Sequence, residues 1–381
     1  MKKIALLGST GSIGRQVLQV VASHQDKFKI VSLSAGSNAK LLQEQILAYK
    51  PVIATLKDAS RAREIQSIPN GTTFYYGENA LYHALSSGAD ILFVALMGFE
   101  GLKAVLDGIS LGMDIAIANK EVLVAGGSLV TRLAREKGVR LIPVDSEHSA
   151  IWQCLDFDNK KGFSRLHITA SGGAFRDVDI KDLPFVTKDD ALRHPNWRMG
   201  EKITVDCATM VNKGLEVIEA KWLFDCPLDK INVVLHRESI IHSMVEFEDG
   251  TIMAQMAAPD MRLPIALALS YPQRLDVGVE RVNLLSQALT FEEIDTKRYP
   301  CFPLVLQAAQ MGDNYPCALS AANEEAVKMF LQGRIRFTDI YGYLADCLDL
   351  NLLKGDGYEV LKEVDRAARS RAISRFSAKN A

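Results

Sequence analysis

Apolar residues in the first 145 positions come in short runs, separated by stretches with helical spacing. The runs at Ile4–Leu7, Ile30–Leu33, Ile91–Ala95, Ile115–Ala118 and Arg140–Val144 read as buried strands. Between them, Gly14–His24, Asn38–Tyr49 and Leu123–Lys137 carry apolar residues three and four apart and read as amphipathic helices. Strand–helix alternation of this kind predicts a parallel doubly wound sheet, an α/β Rossmann-like fold.

Beyond position 150 the pattern changes. A strand is expected at Leu166–Ala170, a polar loop at Arg193–Glu201 and a helix at Ala208–Trp222. Ile231–Leu235, Ser243–Phe247 and Thr251–Met256 are strand-like, and Glu248-Asp249-Gly250 is a hairpin turn signal. Together these predict a central α+β catalytic domain with a mainly antiparallel sheet. Residues 276–300, interrupted by Pro, Asp and Thr, read as a linker. Pro303–Gln310, Ser320–Leu331, Asp339–Leu348 and Glu359–Phe376 then predict a small C-terminal helical bundle. The expected domains are therefore 1–149, 150–275 and 301–381, with the linker before the last.

At 381 residues the chain exceeds what one core usually serves. A composition of 48% apolar and 24% charged residues excludes disorder. The net charge of -2 provides no broad field for nucleic acid or an anionic membrane, so anionic ligands must be met by local clusters. Six scattered cysteines without a C-x-x-C pair read as reduced thiols, not as a disulfide framework or zinc site. The N-terminus enters a strand without a signal-peptide pattern, and the longest apolar stretch, Ile91–Phe99, is too short to span a bilayer. A cytoplasmic protein is expected.

Candidate chemistry sits at strand ends. Gly8-Ser9-Thr10-Gly11-Ser12-Ile13-Gly14 lies between a strand and a helix. Glycines there let the backbone approach a pyrophosphate, and the helix N-terminus supplies N–H donors. The spacing departs from the usual G-x-G-x-x-G, and a plain tight turn is the alternative. After the second strand, Gly36-Ser37-Asn38 offers no acid to hold a ribose hydroxyl, which favours NADPH over NADH. Asp145 and Glu147, two apart in an extended segment, would share one side and suit Mg²⁺ or Mn²⁺; two solvated surface acids are the alternative. Asn212, Lys213 and Glu216 share a helical face and could serve a phosphorylated polyol and a third metal ligand, or form an exposed ion pair. Ser171-Gly172-Gly173 can form an anion nest. The loop Arg193–Gly200, with Pro and Gly around Trp197, suits a lid. Lys120 at a strand end could bind hydroxyls, whereas His236 and His242 read as structural.

The motifs GSTGSIG at 8–14, ANKE at 118–121, PVDSEH at 143–148, ASGGAFR at 170–176, HPNWRMG at 194–200 and ITVDCATMVNKGLEVIEAKWLF at 203–224 occur in one order over nearly the whole chain. In these the chain resembles the 1-deoxy-D-xylulose 5-phosphate reductoisomerase family. The resemblance implies NADPH contacts at Gly8, Thr10, Gly11, Ser12, Ile13, Gly36, Ser37, Asn38, Asn119, Glu121 and Gly200. It implies metal ligation by Asp145, Glu147 and Glu216. Substrate contacts fall on Lys120, Ser146, Ser171, His194, Asn212, Lys213 and Glu216, with Trp197 and Met199 in a mobile flap. Lys120 and His194 are the further candidates for catalysis. Cys207 stands where the family has a serine that touches the substrate phosphate, and a thiol is the poorer donor. Ser37 stands where some members carry a lysine. A homodimer and a phosphorylated ketose substrate are also implied. Two other readings compete: a simple NADP-dependent dehydrogenase of an aldehyde or semialdehyde, and a non-enzymatic NADPH sensor. Neither gives a reason for the acidic set.

Overall fold

The computed structural model describes residues 1–157 and 162–379. They form two compact units, one of residues 1–119, 130–145 and 261–279, the other of 120–129, 146–260 and 280 onward.

The first unit runs β1 (Lys2–Leu7), α1 (Ser12–Ser23), β2 (Phe28–Ala35), α2 (Ala39–Tyr49), β3 (Ile53–Leu56), β4 (Thr73–Tyr76), α3 (Ala80–Leu85), β5 (Ile91–Val94), α4 (Glu100–Ser110) and β6 (Asp114–Ile117). Helix α5 (Lys120–Lys137), kinked at Gly126, starts in the second unit and ends in the first, before β7 (Leu141–Pro143). The seven strands are parallel in the order β4-β3-β2-β1-β5-β6-β7. Ile4, Ala5, Leu6 and Leu7 are all buried, as expected of a strand covered by helices on both faces. The chain winds outward from β1 through β2 to β4, then returns to β5 on the other side. That reversal opens a crevice at the carboxyl end of β1, where the glycine loop lies. Strands β3 and β4 were not foreseen: each has four residues, and β4 at the sheet edge is half exposed, so its alternation is blurred.

The second unit contains α6 (Ser146–Cys154), β8 (Phe163–Ala170), α7 (Lys188–Ala191), α8 (Glu201–Thr209), α9 (Val211–Phe224), β9 (Ile231–Leu235), β10 (Ile241–Phe247) and β11 (Ile252–Met256). Its sheet has the order β11-β10-β8-β9, antiparallel except for the β8–β9 pair. Helix α10 (Arg262–Ser270) packs against α1 in the first unit. Helices α11 (Cys301–Met311), α12 (Tyr315–Leu331), α13 (Ile340–Leu348) and α14 (Tyr358–Lys379) complete the second unit. Their core includes Val305, Leu319, Ala322 and Leu344, together with Val211, Leu215 and Ile218 of α9.

Two expectations need correction. The single helix expected at Ala208–Trp222 is two, because Met210 takes a left-handed conformation (φ 61°) and turns the chain between α8 and α9. Residues 145–147 are not an extended segment. Helix α6 starts at Ser146, so Glu147 lies in its first turn, where a carboxylate also meets the positive end of the helix.

Candidate active site

The glycine loop is shaped by contacts that leave no room for side chains. Gly8 has φ +81°, and a Cβ there would lie 2.3 Å from the carbonyl oxygen of Ala95. A Cβ on Gly14 would lie 2.2 Å from the oxygen of Gly8. Gly11 caps α1 without a side-chain hydrogen bond, so the first-turn N–H groups of Ser12 and Ile13 are offered outward beside exposed Gly11 and Ser12 and half-buried Thr10 and Ile13. Ser9 is buried: its Oγ donates to Gln45 Oε1 (2.6 Å), while Gln45 Nε2 donates back to the Ser9 carbonyl (3.0 Å). Gln45 is a residue sequence reasoning missed. The signal was a polar side chain on the buried face of α2, between Leu42 and Ile46.

Gly36, Ser37 and Asn38 are exposed after β2. Asn38 also caps α2, its Oδ1 accepting from Leu41 N (3.1 Å). Asp58 donates its backbone N–H to the Gly36 carbonyl, and its carboxylate is taken up by Ser60. Asn119 is buried and donates to the Gly98 carbonyl (3.0 Å); its Oδ1 has no donor among the described residues. An amide hydrogen of a bound group would satisfy it. Asp145 is the final residue of the segment 130–145.

In the second unit charged side chains converge. Lys120, the first residue of α5, donates to Asn212 Oδ1 (2.8 Å) and Glu216 Oε1 (3.1 Å). Asn212 Nδ2 donates to the same Glu216 oxygen (2.5 Å). Lys213 bridges Glu216 Oε2 (2.6 Å) and Glu147 Oε1 (2.8 Å), and Ser146 donates to Glu147 Oε2 (2.6 Å). Offsets of three and four on α9 bring Asn212 and Lys213 to Glu216, and the exposed ion pair is excluded: Lys120, Lys213 and Glu216 are 6%, 4% and 1% exposed. Burial alone would raise the Glu147 carboxyl, but the charge and hydrogen bond of Lys213, the Ser146 hydroxyl and Lys120 together outweigh it and hold the group well below its usual range. Burial likewise opposes the charge on Lys213, yet Glu147 and Glu216 raise it. One carboxylate oxygen each of Glu147 and Glu216 lie within 4.8 Å of each other. Beneath them His148, fully buried, contacts the Glu216 carbonyl through Nε2 (2.8 Å) and faces Glu219 from Nδ1 (3.5 Å).

Glu121 is drawn into a separate cluster, half-buried at Glu121 and Lys202 and buried at Asp206 and Asn323. Lys202 reaches Glu121 (2.6 Å) and Asp206 (2.8 Å), and Asn323 of α12 donates to Asp206 (2.8 Å). Lys202, Asp206 and Asn323 were not singled out from sequence.

At the end of β8, Gly172 and Gly173 have φ of +82° and +70°, and Ser171 Oγ meets His194 Nε2 at 2.9 Å. Burial, with Arg176 and Lys213 nearby, lowers the His194 pKa to about 4. Trp197 packs edge-on to His242 (5.8 Å), Met199 is half-buried, and Gly200 caps α8. Cys207 is half-buried on α8, and burial pushes its thiol up to about 12. His236 and His242 bond backbone groups, His242 to the Ala257 carbonyl (3.1 Å) and His236 to the Thr290 carbonyl (2.9 Å). Among the described residues no helix is long and apolar enough to cross a membrane.

Residues 4–127 match the family model of 1-deoxy-D-xylulose 5-phosphate reductoisomerase, and 141–224 and 256–371 match models of its C-terminal domains. A relative of that name from Caldanaerobacter subterraneus is 45% identical over 380 residues, covering 99% of this chain and 100% of its own. One from Bacillus cereus is 47% identical over 373 residues, covering 97% and 98%. Among solved structures, a DOX-P reductoisomerase in complex with NADPH, fosmidomycin and magnesium superposes with TM-score 0.95 at 35% identity, covering 100% of this chain and 99% of that one. The Zymomonas mobilis reductoisomerase in complex with NADPH superposes with TM-score 0.91 at 37% identity, covering 98% and 99%. This chain belongs to the 1-deoxy-D-xylulose 5-phosphate reductoisomerase family.

Proposed function

We propose that the chain converts 1-deoxy-D-xylulose 5-phosphate to 2-C-methyl-D-erythritol 4-phosphate, using NADPH and a divalent cation, Mg²⁺ or Mn²⁺. The observation that carries this reading is half-buried Glu147 and buried Glu216 held beside Lys120 and Lys213. Such an all-oxygen carboxylate set suits a hard dication. Glu147 and Glu216, with Asp145 one residue before α6, would hold it. When bound, it supplies Lewis acidity to the substrate oxygens. The Gly8–Gly14 loop, Gly36–Asn38, Asn119, Glu121 and Gly200 would hold NADPH, which supplies the hydride. The orphaned Asn119 Oδ1 and the outward N–H groups of α1 fit an amide and a pyrophosphate respectively.

The chain's own side chains bind and orient. Lys213 and Ser171 take the substrate phosphate, with Cys207 and Asn212 near them on α8 and α9. Lys120 and Ser146 steady the hydroxyls. Anchoring the phosphate lets its binding energy orient the reacting end. Trp197 and Met199 close over the substrate and exclude water, with His194 at the base of that flap.

The test is NADPH oxidation with 1-deoxy-D-xylulose 5-phosphate, with and without Mg²⁺ or Mn²⁺, for wild type and Glu216→Gln. Turnover is expected only with metal, and Glu216→Gln should lower kcat/KM on the order of 10³-fold and weaken Mn²⁺ binding measured calorimetrically. Full activity after metal removal would favour a simple dehydrogenase.

A second copy of this chain is the proposed partner. β11 is an edge strand on which Ile252, Met253 and Met256 are exposed, an apolar edge that an identical strand would cover. Sedimentation should give a dimer, and Met253→Lys should shift it toward monomer. A cytoplasmic location fits the six free cysteines.

A further inference from the structure

We infer that Lys202 is a positioning residue for the cofactor: it clamps the Glu121 carboxylate at the start of α5 to the start of α8, and acts on the dinucleotide through Glu121. This rests on the reading that NADPH meets Glu121 and Gly200. Lys202 Nζ donates to Glu121 Oε1 at 2.6 Å and reaches Asp206 Oδ2 at 2.8 Å. Glu121 lies in the first turn of α5 and Gly200 caps α8, so one ammonium joins the two elements that carry these contacts. A carboxylate has about four lone-pair sites, so acceptor capacity remains for an O–H or N–H of a bound dinucleotide.

Helix α8 itself gives no reason for a lysine at this place. The N–H groups of its first turn carry partial positive charge, which disfavours a cation there. The i,i+4 order, lysine before acid, is also the weaker one for a pair on a helix. Lys202 and Glu121 are both half-buried, so neither is a solvated surface charge. Burial alone would raise the Glu121 carboxyl, but the charge and hydrogen bond of Lys202, the backbone N–H of Glu121 and Lys120 together hold it below its usual range. Burial opposes the charge on Lys202 as well, yet Asp206, Glu121 and Glu324 raise it. A bound dinucleotide would therefore meet a carboxylate that is ionised and fixed in direction.

The clamp is backed from behind. Asn323 of α12, fully buried, donates to Asp206 Oδ1 (2.8 Å), which leaves Oδ2 to face Lys202. The next residue, Glu324, takes Arg369 of α14 (2.6 Å), and Arg369 also holds Asp365 (2.8 Å) and Glu325 (3.2 Å). Helix α14 thus grips α12, α12 holds Asp206 in place, and Lys202 carries that constraint to Glu121.

NADPH binding by the full chain with Mg²⁺, read by fluorescence titration, tests the clamp in a double-mutant cycle. Lys202→Met should raise the NADPH dissociation constant about tenfold, and Glu121→Gln should raise it by at least as much. Adding Lys202→Met to Glu121→Gln should change the constant by less than about twofold. Effects that multiply would mean that Lys202 acts independently of Glu121 and would overturn the inference. A loss in Glu121→Gln with none in Lys202→Met would overturn it too, while leaving the cofactor reading in place. No loss in either would remove NADPH from Glu121 and end both. Lys202→Met also leaves Asp206 buried without its cation, so its thermal midpoint should fall. Lys202→Met combined with Asp206→Asn separates folding from positioning. The midpoint should recover while the NADPH constant stays raised, because Glu121 still lacks its partner. A constant that recovers together with the midpoint would make Lys202 a structural residue alone and overturn the inference.

Discussion

On the proposed reading the glycine loop after β1 and the charged cluster on α9 both meet an anionic ligand, by opposite means. The loop does it with backbone: N–H groups at the start of α1 and close approaches that only glycine permits. The cluster does it with buried charges that hold one another, Lys213 between Glu147 and Glu216 and Lys120 against Glu216 and Asn212. A backbone site fails by steric displacement and is indifferent to added cations. A charge-balanced site fails electrostatically when one member is removed, and an external ion can compensate.

The largest effect that separates the two is expected from Lys213→Met. It leaves the half-buried carboxylate of Glu147 and the buried one of Glu216 facing each other without the ammonium between them. Loss of one partner from a buried ion pair costs about 3–5 kcal/mol. Chemical denaturation in EDTA should show that loss, and saturating Mn²⁺ should restore part of it by placing positive charge between the same oxygens. No recovery with Mn²⁺ would mean that the two carboxylates do not share a cation. Phosphate binding should suffer in either case, as a raised KM.

Gly14→Ala probes the other region, with a smaller effect and no response to metal. Its Cβ would fall 2.2 Å from the Gly8 oxygen and 2.7 Å from Ser9 Cα, both backbone atoms that cannot rotate away. Forced displacement of this kind costs about 1–3 kcal/mol. The loop would shift off Gln45, and the NADPH dissociation constant, read by fluorescence titration, should rise about tenfold or more. An unchanged constant would show that the loop does not bind the cofactor.

The same contrast explains what was legible in the sequence. A glycine loop after β1 follows from local spacing, and so does the α9 face carrying Asn212, Lys213 and Glu216, because three and four residues make one turn. Residues that meet from a few tens to more than a hundred positions apart leave no such trace. The grip of Gln45 on Ser9 depends on how α2 returns to β1. The cluster of Lys202 with Glu121, Asp206 and Asn323 joins three distant helices. Boundaries were misjudged where one residue decides them: Met210 adopts positive φ within an otherwise helical pattern, and Ser146 starts a helix where Asp145 and Glu147 suggested a strand. The motif resemblance supplied roles that periodicity could not.

The smallest expected effect is also the one most particular to this chain. Cys207 faces the Gly172–Gly173 turn from α8, where a Cβ on Gly173 would lie 2.5 Å from the Cys207 carbonyl oxygen. Its thiol is pushed up to about 12 by burial, so it stays protonated and offers a weak donor with no charge to repel a phosphate. Cys207→Ser substitutes a stronger donor of similar size. The KM for 1-deoxy-D-xylulose 5-phosphate should fall about threefold, under 1 kcal/mol, since on the proposed reading Ser171 and Lys213 already carry the contact. The NADPH constant of the glycine loop should not move, nor should the recovery of Lys213→Met by Mn²⁺. If Cys207→Ser leaves KM unchanged while the thermal midpoint also holds, the side chain at 207 points away from the phosphate, and the anion is met by Ser171 and α9 alone.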